Sequence, residues 1–379
     1  VIDDAVVEAE HLFLPYGTPI IVPGRDISMM AHLADALIIR SRTQINAQLL
    51  QENPRIRFIG STVVGLDHVD EAACQRHGVT FYSAQGCNAR SVAEYVMSQI
   101  VHYATQQERD FKSLTLAIIG VGHVGKALAQ LATALEIKLL LNDPFRADLE
   151  TDFTHTTLNR CLQEADIISL HTPLTTTGQY PTYHLIHQDN INEIKANALF
   201  INAARGDIVD EKALLSRPDL TLITDCWHNE PDINESLLAT SRLATPHIAG
   251  HAWDAKYRGG TMARDALAHW LGVNPPQSRF VKGGSAKCSE IYLPSPPLVA
   301  SWGEGLTAQQ ELARLLQDAY NFAQDDSILR NAPQAQRAYT FEAYRRNYPL
   351  RREWTQQSIQ SERLLAQTIH WASALGFII

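Results

Sequence analysis

The sequence predicts an α/β protein with two doubly wound βα domains flanking a cleft, followed by a smaller C-terminal domain. Three observations carry that prediction. Short apolar runs alternate with amphipathic stretches through residues 36–82 and again through 116–245, the pattern of parallel strands joined by helical crossovers. A glycine triplet, Gly120-Val121-Gly122-His123-Val124-Gly125, follows the first apolar run of the second series. After Trp270 the texture changes to Pro275, Pro276, Gly283, Gly284, Pro294, Pro296 and Pro297 with little periodicity, which reads as a linker. A length of 379 residues, at ~150 per domain, allows two or three domains.

In the first series Ala36–Ile39, Ile56–Ile59 and Val79–Tyr82 read as buried strands, with short helices at Asn46–Gln51 and Val69–His77 between them. A helical stretch, Ser91–Glu108, leads into the second series, and Ser91 with Glu94 has the spacing of a capping box at its start. Leu116–Ile119, Lys138–Asn142, Ile167–Leu170, Leu199–Asn202, Leu220–Thr224 and Leu243–Thr245 then make six strands, enough for a complete doubly wound sheet. Beyond the linker, Thr307 and Gln310 form a second capping box, and Leu312, Leu315, Leu316, Ala319 and Tyr320 line one helical face. Another helix is expected around Leu364–Ile369. The apolar end Phe377-Ile378-Ile379 is expected to be covered.

Composition excludes several classes. The 45% hydrophobic content suffices for real cores, and 32 basic against 41 acidic residues leave a net charge of −9. A general nucleic-acid or anionic-membrane binder needs a basic surplus, so neither partner is expected. No run approaches the ~18 apolar residues of a membrane span, and no charged-then-apolar leader opens the chain. The first residue is Val1 rather than Met, so leading residues are expected to precede it. Cys74, Cys87, Cys161, Cys226 and Cys288 are scattered and odd in number, which suits a reducing cytoplasm better than a disulfide framework or zinc ribbon.

The chemistry lies at strand ends. Glycines between a strand and the helix-compatible Lys126–Leu135 let backbone amides approach a pyrophosphate at a helix N-terminus. Asp143 ends the next strand, 18 residues past Gly125. A carboxylate there bonds both ribose hydroxyls and repels a 2′-phosphate, favouring NAD over NADP; nearby Arg146 would tolerate NADP, but Asp143 dominates. Three further segments follow buried strands: Asn202-Ala203-Ala204-Arg205-Gly206, Asp225-Cys226-Trp227-His228-Asn229-Glu230-Pro231 and Thr245-Pro246-His247-Ile248-Ala249-Gly250. Ligands of open α/β sheets sit outside such ends. Arg205, Glu230 and His247 are the groups that oxidation of a hydroxy acid needs. A guanidinium holds the substrate carboxylate, an imidazole takes the hydroxyl proton, and a carboxylate on the other ring nitrogen fixes its tautomer. Arg205-Gly206-Asp207 is not read as an adhesion motif. His247 and His251 have the spacing of a helical metal pair, but Pro246 and Gly250 argue for a loop, and no metal is expected.

These motifs, over roughly residues 1–275, resemble the D-2-hydroxyacid dehydrogenase superfamily. The resemblance implies that Arg205 orients substrate, Glu230 tunes His247, and His247 is the acid/base. Cofactor contacts would come from Gly120, Gly122, His123, Val124, Gly125, Asp143, Thr172 (in His171-Thr172-Pro173-Leu174), Ala203, Asp225 and Gly250. The implied fold has a discontinuous substrate-binding domain, 1–90 with 252–275, a Rossmann-like NAD domain, 91–251, both βα units being Rossmann-like or flavodoxin-like, and an α+β domain, 281–379. Arg40-Ser41, the segments 65–70 and 86–90, and Tyr348-Pro349-Leu350-Arg351-Arg352-Glu353 look like those of one member of the family. That likeness implies a small phosphorylated 2-hydroxy acid as substrate and a homodimer formed through the C-terminal domain. Ser41, Thr62, Val63, Asn88 and His251 would touch substrate. The family carries threonine where this chain has Val63 and tyrosine where it has His251. Arg40, Arg42, Arg90, Lys256 and Arg258 are candidates for the phosphate. Two other readings stay open: a phosphoglycerate- or hydroxypyruvate-type dehydrogenase, and a dinucleotide-sensing scaffold like corepressors of the same fold.

Overall fold

The computed structural model describes residues 1–276, 297–299, 302 and 305–379. The expected linker after Trp270 lies largely outside the described residues. The chain forms two compact units: Val1–Asn88 with His251–Leu293, and Ala89–Gly250 with Pro294–Ile379.

The first unit holds a five-stranded parallel sheet of β1 (Ile2–Asp3), β2 (Ile21–Val22), β3 (Ala36–Ile39), β4 (Phe58–Ser61) and β5 (Thr80–Ser83), ordered β2-β1-β3-β4-β5. That is the flavodoxin-like order. β1 and β2 have two residues each, too short to show periodicity, and only β3 to β5 were legible in the sequence. The helices between them start where a side chain can accept an amide hydrogen. Asn46 caps Ala47–Glu52 through Leu49 N–H at 2.9 Å, and Asp70 caps Glu71–Arg76 through Ala73 N–H at 2.8 Å. The long helix Trp253–Trp270 returns to cover β4, its Trp270 ring 5.6 Å from Phe58.

The second unit holds a six-stranded parallel sheet: β6 (Thr115–Ile119), β7 (Lys138–Asn142), β8 (Ile167–Leu170), β9 (Leu199–Asn202), β10 (Thr221–Thr224) and β11 (Leu243–Ala244). Its order, β11-β10-β9-β8-β6-β7, reverses between β6 and β8, and that reversal opens a crevice at the carboxyl ends. The inner strands β6, β8 and β9 are buried on both faces, so they read as continuous apolar runs rather than alternating ones.

The expected third domain, 281–379, does not stand apart. Leu312, Leu315 and Leu316 of the helix Ala308–Ala319 share one core with Val96 and Ile100 of the helix Ala89–Gln106 and with Leu128 and Leu131 of the helix His123–Ala134. An amphipathic face buried on a neighbouring helix merges two cores into one. Thr307 and Gln310 do form a reciprocal capping box. Parallel strands β12 (Leu298–Val299) and β13 (Ile359–Gln360) make the region α+β. At the chain end Phe377 is buried and stacked on Trp354 at 5.5 Å, whereas Ile378 and Ile379 stay exposed.

Ser91 and Glu94 correct the sequence reading. The helix begins at Ala89, and both side chains point inward instead of capping it. Ser91 Oγ donates to Glu353 at 2.7 Å; Glu94 accepts from Arg90 Nε at 2.6 Å and from the Trp354 amide at 3.0 Å. Burial, reinforced by the charge of Glu353, pushes the Glu94 carboxyl up to about 8 against the opposing pull of Arg90 and the Trp354 amide. The folded chain therefore keeps a proton that the unfolded chain releases from the ordinary carboxylate range upward. Stability from this group is complete below that range and is lost as pH rises toward about 8. Thermal melts of Glu94→Gln should thus fall less steeply than wild type over that window. Identical slopes would show that Glu94 does not carry this dependence.

Candidate active site

The carboxyl edge of the second sheet is shaped first by glycine. After β6 the chain turns at Gly120, whose φ of +89° is in the left-handed region. A Cβ on Gly125 would sit 2.2 Å from the Gly120 carbonyl oxygen, so only glycine lets the helix approach the strand this closely. A Cβ on Gly122 would meet nothing within 4 Å; that open side is where a ligand can reach the first turn, formed by His123 and Val124. Asp143, after β7, accepts from the Val121 amide at 2.9 Å and caps the next helix through the Arg146 amide at 3.1 Å. It therefore holds the glycine turn as well as presenting a carboxylate beside it. Arg146 is engaged by Glu150, by the Val121 carbonyl at 3.3 Å and by the Phe153 ring at 4.1 Å, so it is tied back rather than free for a 2′-phosphate.

Beyond the sheet reversal, β8 leads to His171 and Thr172, packed so near Gly120 that a Cβ there would meet both. Thr172 Oγ1 and His171 Nδ1 are buried without a hydrogen-bond partner among the described residues. Burial pushes His171 down to about 3, so the ring is neutral. Orphaned polar atoms beside an open glycine cradle fit a dinucleotide.

The three residues expected to act on substrate, Arg205, Glu230 and His247, follow the ends of β9, β10 and β11. After β9, Asn202 braces the turn by donating to the Arg205 carbonyl at 2.9 Å and accepting from the Ala204 amide at 3.2 Å. Half-buried Ala203 lies in that turn. A Cβ on Gly206 would fall 2.0 Å from the Trp227 carbonyl carbon, so the Arg205 loop packs directly on the loop after β10. There the Trp227 amide donates to Glu230 Oε1 at 2.9 Å, and Glu230 Oε2 meets His247 Nδ1 at 2.8 Å. Burial would raise the Glu230 carboxyl, but the His247 charge and hydrogen bond, the charge of Arg345 and the Trp227 amide outweigh it and hold it below the usual carboxylate range. An ionised carboxylate only accepts, so Nδ1 carries the hydrogen and the neutral ring presents Nε2 as a base.

His247 takes φ +53°, and Asp225 makes that conformation hold. Asp225 Oδ1 accepts from Thr245 Oγ1 at 2.6 Å and from the Ile248 amide at 2.8 Å, and Oδ2 from the Ala249 amide at 3.0 Å. With the Thr245 hydrogen committed, Tyr95 must donate to Thr245 Oγ1, 2.8 Å away. Asp225 was expected along the cofactor. At 1% exposure its carboxylate is instead spent on the loop carrying His247, which ends at half-buried Gly250.

Arg345, on the C-terminal helix Arg337–Arg346, is a site neighbour that sequence reasoning missed. Its guanidinium lies over the Phe341 ring at 5.6 Å, its charge acts on Glu230 and Cys226, and its Nε is buried without a hydrogen-bond partner among the described residues. Ligand atoms of Cys226, Glu230 and His247 lie within 4.8 Å of one another. The Cys226 thiol, however, donates to the Ala204 carbonyl at 3.3 Å and burial pushes it well up, so it keeps its proton and is a poor metal ligand. His247 and His251, the spacing weighed for a metal pair, belong to different units.

In the first unit Ser41, Thr62, Val63 and Asn88 follow the carboxyl ends of β3, β4 and β5, and His251 precedes the helix Trp253–Trp270. Thr62 departs from expectation: it is buried, and its hydroxyl donates to the Ile39 carbonyl at 3.3 Å. Ser41 is exposed, and Val63, Asn88 and His251 are half-buried. Two phosphate candidates are engaged elsewhere, Arg90 by Glu94 and the Leu375 carbonyl and Arg258 by the Cys87 carbonyl.

Residues 87–249 match the family described as D-isomer specific 2-hydroxyacid dehydrogenase, NAD binding domain, and residues 292–376 match a domain of unknown function. The chain is 44% identical to the erythronate-4-phosphate dehydrogenase of Hydrogenovibrio crunogenus, covering 95% of this chain and 93% of that protein. It is 38% identical to the enzyme of the same name from Escherichia coli O157:H7, covering 93% and 92%. Among solved structures, NAD+-bound 3-phosphoglycerate dehydrogenase from Entamoeba histolytica aligns at a TM-score of 0.61 and 23% identity, over 73% of this chain and 95% of that one. D-lactate dehydrogenase from Aquifex aeolicus, complexed with NAD and lactic acid, aligns at 0.55 and 22%, over 72% and 95%. Both share the fold.

The two glycines separate by experiment. Gly125→Ala should cost ~1–3 kcal/mol of stability, as overpacking does. Gly122→Ala should leave the melting temperature nearly unchanged but weaken dinucleotide binding about tenfold or more, equal to ~1.4 kcal/mol. Unaltered affinity in a fluorescence titration of Gly122→Ala would remove the cradle as the ligand site.

Proposed function

The chain belongs to the erythronate-4-phosphate dehydrogenase family of the D-isomer specific 2-hydroxyacid dehydrogenases, and from that premise we propose that it oxidises 4-phospho-D-erythronate to (R)-3-hydroxy-2-oxo-4-phosphooxybutanoate in pyridoxal 5′-phosphate biosynthesis. It is an NAD-dependent dehydrogenase. The observation that carries the substrate reading is likeness to these relatives over nearly the whole chain, in a protein whose His247–Glu230 pair sits at 2.8 Å on adjoining strand ends.

NAD, when bound, supplies the hydride acceptor. Arg205 holds the substrate carboxylate, and His247 Nε2 takes the proton from the C2 hydroxyl. Glu230, ionised by its surroundings, stabilises the imidazolium so formed. Asp143 presents a carboxylate to the adenosine ribose and disfavours NADP. Ser41, Val63, Asn88 and His251 are proposed as substrate contacts. Homodimerisation through the C-terminal region is supported by apolar side chains it leaves exposed, Tyr339, Leu350, Leu365, Ile378 and Ile379. Buried free thiols at Cys74, Cys87, Cys161 and Cys226 suit a cytoplasmic setting.

A panel of 4-phosphoerythronate, 3-phosphoglycerate and D-lactate, followed by NADH absorbance, should give the highest kcat/KM with the first. Preference for either of the others overturns the assignment. His247→Asn should lower kcat by ~10²- to 10⁴-fold with cofactor binding nearly intact; wild-type turnover in that variant would remove His247 from the chemistry. Asp143→Ala should narrow the NAD-to-NADP ratio, and an unchanged ratio would place cofactor choice elsewhere.

A further inference from the structure

The segment Tyr348-Pro349-Leu350-Arg351-Arg352-Glu353 has no part in the reaction as assigned, yet its central arginine is 4% exposed. A charge buried that deeply must be matched by its surroundings. Arg351 donates from Nη1 to the Ile248 carbonyl at 3.3 Å and from Nη2 to the Ala249 carbonyl. These carbonyls belong to the same two residues whose amides Asp225 binds. The backbone groups of Ile248 and Ala249 are thereby held by two side chains, the N–H groups by Asp225 and the carbonyls by Arg351.

Arg351 is itself fixed by aromatic rings. Its guanidinium lies 5.3 Å from the Phe322 ring centre, 5.7 Å from Tyr320 and 5.9 Å from Tyr348, within the range of cation–π attraction. The hydroxyls of Tyr320, Tyr344 and Tyr348 all donate to Asp325, which is fully buried. Two parallel donors on a planar fork match two successive carbonyls; a lysine would reach one of them.

We propose that Arg351 is a positioning residue for the dehydrogenase reaction, and that the C-terminal region, within the same chain, holds the His247 loop in its working conformation. A left-handed φ at a non-glycine residue persists only where the surroundings over-determine it, and Arg351 supplies the half of that restraint which Asp225 does not. Misplacing a catalytic group by an ångström costs about 10²-fold in rate.

The kinetic arm rests on the substrate reading above; a second arm does not. In full-length protein, Arg351→Met should lower kcat with 4-phosphoerythronate by about 10²-fold while NAD affinity changes by less than about twofold. Arg351→Lys should recover only part of the loss, and millimolar methylguanidinium should restore Arg351→Ala where methylammonium does not. Independently of any substrate, amide exchange at Ile248 and Ala249 should quicken in Arg351→Met, with exchange in β6 to β9 unchanged. Unchanged exchange at those two amides overturns the proposal, as does unchanged kcat or a fall in kcat matched by equal loss of NAD affinity. If wild type turns over none of the panel, the substrate reading fails, and the exchange arm still decides this one.

Discussion

One buried carboxylate organises the catalytic end of the second sheet. Asp225 stands at the end of β10, and in that dry setting its oxygens must be saturated by donors. The donors available are the Thr245 hydroxyl and the amides of Ile248 and Ala249, all beyond the neighbouring strand β11. Satisfying them bends the chain over the end of β10 and throws His247 into a left-handed conformation. Only from there does Nδ1 reach Glu230. Glu230 depends in turn on the Trp227 amide, and Trp227 on the contact that a glycine at position 206 permits. The placement of the proposed base is thus the consequence of satisfying a buried carboxylate whose oxygens bond the loop and not the imidazole.

What was legible in the sequence was local. The glycine turn and Asp143 follow an apolar run directly, and Arg205, Glu230 and His247 lie within six residues of one, so a strand-end argument finds them without knowledge of the packing. The roles of side chains whose partners lie far along the chain were hidden. Ser91 and Glu94 have capping-box spacing, and nothing nearby reveals that Glu353 and Trp354, some 260 residues on, claim them instead. Arg345 and Arg351 look like solvated charges within an Arg-rich stretch. Thr62 is a plausible substrate hydroxyl until its donation to Ile39 on the adjacent strand is visible. β1 and β2 escaped for a simpler reason, since two residues have no period.

The same distance explains why the C-terminal region is not a separate domain in its contacts. A helix such as Ala89–Gln106 that carries an inward serine and glutamate is not satisfied by residues 89–250 alone. The C-terminal segment supplies the missing groups and takes apolar cover in return, with Trp354 and Phe377 sharing the core of Val96 and Leu128. Neither side is complete alone. The match to two family models, one on each segment, records two lengths of sequence, not two independently satisfied bodies.

The thiol of Cys226 lies in the same loop as Glu230, its sulfur within 4.8 Å of ligand atoms of Glu230 and His247, the pair proposed to act on a 2-hydroxy acid. The 2-oxo product of that oxidation is an electrophile, and a thiolate within reach would add to it and arrest the enzyme as a hemithioketal. Protonation removes the hazard, because the thiol is orders of magnitude less nucleophilic than its anion. Burial and the neighbouring carboxylates Asp225 and Glu230 keep the proton on sulfur, and the Ala204 carbonyl gives it somewhere to point. The carboxylate paired with His247 thus also helps to keep the neighbouring thiol protonated.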